Sequence, residues 1–215
     1  MTLLQTILAL WAVTAAASVV LLLRDLRRNN PEIQGLMRWV WILTVLYSGP
    51  LGLAGYFWAG RKQIPHDDLA RRAFRSVAHC YSGCGLGEIG GLLLTVGLLG
   101  LGTTATALVT FAAAYVAGFA LTIGPLMQGG ESFREALSDT LWSETASIAV
   151  MEVTAIAVDL WLAGSAGIGA ALFWISLVVS LTIGLVAAYP VNVLLIRFGV
   201  KEGMHSPKAH AAHAH

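Results

Sequence analysis

Charge is scarce in this chain: Asp, Glu, Lys and Arg make up 12% of its 215 residues, against about a quarter in a soluble domain. The deficit is concentrated in long blocks where apolar residues, 57% of the chain, run almost uninterrupted. That excludes an ordinary soluble domain and makes lipid the solvent for most of the chain. No Lys or Arg falls inside an apolar block; all thirteen stand in connections, at block ends or in the C-terminal tail. A net charge of +1 gives no basis for a nucleic-acid or acidic-substrate partner. Cysteine is nearly missing as well. The two present, Cys80 and Cys84, share one apolar block, so they build no disulfide framework and say little about redox compartment. The sequence has no haem-attachment Cys-x-x-Cys-His and no Gly-rich dinucleotide fingerprint, which counts against a redox enzyme.

What is present are six blocks of membrane-spanning length: 3–23, 37–59, 79–101, 103–127, 140–163 and 166–196. The expected fold is all-α, a polytopic membrane helical bundle of about six transmembrane helices in contact with membrane lipid. It divides into an N-terminal helix with a basic loop (1–36), a helical membrane domain (37–204) and a histidine-rich flexible tail (205–215). The first block lacks a basic leader and continues past Ser18, which reads as a retained span rather than a cleaved signal peptide. Gly49-Pro50, in the middle of the second block, predicts a kink whose freed carbonyl neighbouring helices can satisfy. The sixth block is long enough to be tilted, or to emerge before Tyr189-Pro190. In the connection 60–78, Asp67 or Asp68 is placed to cap a short amphipathic helix at the membrane surface, carrying Arg71, Arg72 and Arg75. With both termini cytoplasmic, nine basic residues lie inside and four outside. The balance favours that orientation in a cell (inner) membrane, although Arg24, Arg27 and Arg28 argue against it.

The third block carries the chemistry. It opens His79-Cys80-Tyr81-Ser82-Gly83-Cys84-Gly85-Leu86-Gly87-Glu88. At about 100° per residue, Cys80, Cys84 and Glu88 form a ladder on one helix face. Thiolate, imidazole and carboxylate are transition-metal ligands, and polar groups at membrane depth are functional candidates by default. Gly83, Gly87 and Gly91 repeat on an overlapping face, where a second helix can approach closely. The competing reading is that the cysteines are small buried hydrophobes. Glu144, Met151, Glu152 and Asp159 share a face of the fifth block. Without a basic residue at their depth, these acids must take up a proton or bind a cation. In a six-span chain the third and fifth helices run the same way. Counting rise per residue sets Cys84 level with Glu144, and Glu88 level with Met151 and Glu152. The tail adds Met204, His205, His210, His213 and His215, a composition that binds divalent metals.

The His79–Glu88 run resembles the signature of a bacterial integral-membrane family, the domain of unknown function 4396. Asp139 to Glu144 on through Glu152, and Tyr189 to Asn192 on through Met204, are similar to it as well. The resemblance covers roughly 37–204. An aspartate often stands in the family where this chain has Glu88, one methylene longer. The family's association with copper proteins points the metal reading toward copper.

Two functions are open at this stage. One is a membrane protein that binds and handles a transition-metal ion, copper first, exchanging it with a metal donor or acceptor protein. Thiolate and Met favour Cu(I), while His and carboxylate suit Cu(II) or Zn(II) equally. The other is a structural or accessory subunit of a larger membrane complex, with protonated acids and glycine-rich packing faces.

Overall fold

The computed structural model describes residues 2–64, 66–128 and 130–204. Among them are six α-helices and no strand: α1 (Leu3–Arg28), α2 (Gly35–Gly55), α3 (Leu69–Leu92), α4 (Thr103–Gln128), α5 (Phe133–Leu162) and α6 (Ala171–Arg197). Short π-helical turns, Tyr56–Gly60 and Leu93–Leu98, prolong α2 and α3. All but α3 are long and apolar enough to cross a membrane. Helices of this kind make a multi-pass membrane protein with lipid-facing surfaces.

α3 differs from expectation in where it begins. Asp68 does cap a helix, its Oδ1 accepting the Arg71 backbone N–H at 2.9 Å. That helix does not end at the surface, however; it runs unbroken from Leu69 through the thiol ladder. Nothing between Arg75 and His79 breaks a helix: the residues are Ser76, Val77 and Ala78, with neither glycine nor proline. α6 likewise continues through Pro190 to Arg197. The kink in α2 is where the sequence predicts it. Gly49 adopts φ 53° and ψ −128°, and Pro50 follows.

The chain divides into two compact units, Met1–His79 with Asn192–His215, and Cys80–Val191. In the first, α1 and α2 pack around Leu22, Leu26, Val40, Trp41, Val45 and Tyr56. Asp25 is the polar centre of this unit. It accepts hydrogen bonds from Asn29 (2.7 Å), Asn30 (2.8 Å), the Tyr56 hydroxyl (2.8 Å) and Arg61 (2.9 Å). Buried Arg75 donates to the carbonyls of Ala59 at 2.7 Å and Met204 at 2.8 Å, and pairs with Asp67.

In the second unit the glycine row of α3 meets α4. A Cβ added at Gly83 would lie 2.8 Å from the Gly118 Cα, and one at Gly91 2.9 Å from the Thr110 Cα; at Gly87 it would run into the Ala113 backbone. The close approach expected of this row is therefore present, with α4 as the partner. α4 in turn packs on α5, where the Tyr115 hydroxyl donates to the Thr145 carbonyl at 2.9 Å. Gly184 brings α6 against Met151 of α5, a Cβ there lying 2.9 Å from the Met151 carbonyl.

Candidate ion-binding site

Helical periodicity puts the candidate side chains of the second unit on stripes of α3 and α5. Cys80, Cys84 and Glu88 are almost fully buried on α3, as are Glu144, Met151 and Glu152 on α5. A hydrogen bond from the Cys80 thiol to Glu144 Oε2 at 2.6 Å links the two stripes. Cys84 comes next. Its Sγ and Ile148 both press on Gly118, 3.1 and 3.0 Å from where a Cβ would sit. Cys84 and Glu152 are within hydrogen-bonding and electrostatic reach of each other. One turn beyond Cys84, Glu88 lies in the electrostatic field of Glu152 and Asp159, and its Oε2 has no hydrogen-bond partner among the described residues. Carboxylates that feel one another in an apolar interior favour uptake of a proton or binding of a cation.

The register follows from the helix starts. Cys80 and Glu144 each stand eleven residues beyond the first residue of their helix, and Glu88 and Glu152 each nineteen. With Cys80 bonded to Glu144, α3 and α5 therefore run parallel, as the six-span reading expects, with Glu88 and Glu152 at matching positions along them. The expected pairing of Cys84 with Glu144 is off by one turn. It rested on heights counted from the edges of the apolar blocks, whereas the polar first turns of both helices also contribute rise.

The other candidates are placed differently. Asp159, partly buried, accepts a hydrogen bond from Ser176 of α6 at 2.6 Å. The Met151 Cγ lies against Gly184 of α6. His79 is buried and ends the N-terminal segment of the first unit. His205, His210, His213 and His215 lie outside the described residues. Among the described residues no three of His, Cys, Asp and Glu gather closely enough to hold a metal ion. The ladder thus offers ligands in pairs along its length rather than a closed coordination shell. Sequence reasoning missed Ser176, whose position opposite Asp159 depends on how α6 packs.

A family profile described as a domain of unknown function (DUF4396) matches residues 70–201. No curated protein matches the chain, and no solved structure matches it.

Proposed function

This chain belongs to the DUF4396 family, and for this member we propose that it binds and handles a transition-metal ion inside the membrane, with copper as Cu(I) the ion its ligands suit best. The observation that carries the reading is the Cys80–Glu144 contact, a soft ligand and a counter-charge joined at 2.6 Å in a sealed interior. Cys84 and the Glu88–Glu152 pair continue the same line at the following turns. Thiolates select Cu(I) over harder ions, and Cu(I) accepts two ligands readily, so a ladder of pairs suits an ion that is passed on rather than locked in place. The excess of basic residues on one side of the spans favours cytoplasmic termini in a cell (inner) membrane. A protein that hands over a metal implies a donor or acceptor protein as its partner.

The test is metal analysis of detergent-purified protein ending at Met204, loaded with Cu(I) under reducing conditions. About one ion per chain should be retained, with sulfur ligation in its X-ray absorption spectrum. A Cys80→Ser, Cys84→Ser double variant should lose that ion, and undiminished copper in it would reject the proposal. The second reading, an accessory subunit of a larger membrane complex, is favoured by the same bond taken differently. A thiol hydrogen-bonded to Glu144 is already satisfied and needs no ion.

A further inference from the structure

Beyond the thiol ladder, the second unit contains a cavity of about 200 Å³. Its mouth lies at the connections after α3 and α5, where the lining residues Leu101, Gly102, Gly164 and Ser165 are exposed. Its polar lining is Glu88, Asp159, Thr103, Thr106, Thr110 and Ser165. Every side-chain donor in that set is oxygen, and no basic, imidazole or sulfur side chain lines the space. The threonines recur along α4 at helical spacing, so one face of that helix presents three hydroxyls. Two of the groups are left over. Glu88 Oε2 and Thr110 Oγ1 are buried and have no hydrogen-bond partner among the described residues. Glu88 is only 1% exposed, so bulk water does not satisfy it.

We propose that this cavity is a second site, adjoining the thiol ladder at Glu88 but lined by oxygen alone, which takes a small hard divalent cation of the Mg²⁺ or Mn²⁺ class that keeps part of its water. Carboxylate and hydroxyl oxygens suit such ions, whereas soft ions seek sulfur. The charges of Glu88 and Asp159 match a divalent ion. The volume is roughly that of six waters at about 30 Å³ each, room for an ion with a partial hydration shell, which Mg²⁺-like ions give up reluctantly. Threonine hydroxyls and retained water complete the oxygen shell. Glu88 is common to both sites, but the other donors here are Asp159 and hydroxyls rather than cysteines, so the two readings fail separately.

The experiment is Mn²⁺ titration of the full-length reduced protein in detergent, followed by the loss of the free-ion electron paramagnetic resonance signal. One bound Mn²⁺ per chain is expected, displaced by Mg²⁺. Affinity should fall at least tenfold in Glu88→Gln and in Asp159→Asn and stay unchanged in Cys80→Ser, Cys84→Ser. Echo-envelope modulation of the wild-type complex in D₂O should show exchangeable deuterons and no nitrogen. Failure to bind Mn²⁺, or wild-type affinity in both acid variants, overturns the proposal. Loss of binding in the cysteine variant would move the ion to the thiol ladder, and nitrogen modulation would move it to the histidines; either also overturns it. The wild-type spectrum decides the matter even if an acid variant fails to fold. Loss of Cu(I) binding with Mn²⁺ binding intact would reject the copper reading alone.

Discussion

Glu152 is fully buried, with the Cys84 thiol beside it. Arg134 is the one Lys or Arg in the Cys80–Val191 sequence, and it precedes Glu152 by eighteen residues, about 27 Å along a helix. Within this unit no Lys or Arg stands at that depth, so the charge of Glu152 is expected to be either cancelled by a proton or used to hold an ion. Glutamine separates the two cases because it keeps size and hydrogen bonding but carries no charge. If the ladder holds copper, Glu152→Gln and Glu144→Gln should each weaken Cu(I) binding about tenfold, with little change in melting temperature. If these acids are protonated structural groups, glutamine should leave both quantities unchanged, and copper titration beside thermal unfolding gives the answer. The ladder itself was legible in the sequence, because charged and thiol side chains stand out against an apolar background and a helix projects them at known angles. The cavity threonines were not. Thr103, Thr106 and Thr110 have helical spacing, but hydroxyls are common in membrane helices, and only packing shows that Thr110 Oγ1 lacks a partner among the described residues.

Helix contacts extend the same logic to elements. The Gly83, Gly87 and Gly91 row was readable as a packing face, while its partner, α4, was not, because small residues specify close approach without specifying to what. At Gly87 the opposing wall is Ala113 and Ala114 backbone, which cannot rotate away. At Gly97 the nearest atom to an added Cβ is the flexible Ile168 Cδ1 at 3.4 Å. Overpacking typically costs about 1–3 kcal/mol. Gly87→Leu should therefore lie at the upper end of that range or fail to fold, and Gly97→Leu should be nearly neutral. Equal melting temperatures for the two would reject the close α3–α4 contact. Gly49 makes a second case. Its positive φ and the Trp11 ring 3.1 Å from an added Cβ should make Gly49→Ala destabilising by roughly 1–2 kcal/mol, measurable by thermal unfolding. The kink was legible from Gly49-Pro50. The start of α3 was not, since hydropathy marks where lipid begins rather than where a helix begins.

The first unit adds a consideration at the scale of the whole chain. Arg75 Nε holds the Met204 carbonyl at 2.8 Å, and Arg72 donates to the Glu202 carbonyl. Residues 202–204 are thereby strapped to the first turns of α3, and Arg75 stands one helical turn before His79 on that helix. The sequence continues from Met204 directly into the segment carrying His205, His210, His213 and His215. If the protein handles copper as proposed, such a histidine-rich segment would act as a tethered capture ligand, raising the local metal concentration rather than the affinity of the buried thiols. Loading rate and capacity should therefore separate. Deleting 205–215 should slow Cu(I) uptake from a dilute donor several-fold while leaving the amount finally retained unchanged. The double cysteine variant should do the reverse, lowering the amount retained with the tail intact. Stopped-flow copper transfer beside equilibrium metal analysis reads both quantities. Equal uptake rates with and without the tail would exclude it as the capture segment, whereas a loss of capacity on deletion would place the main site on the histidines rather than on Cys80 and Cys84.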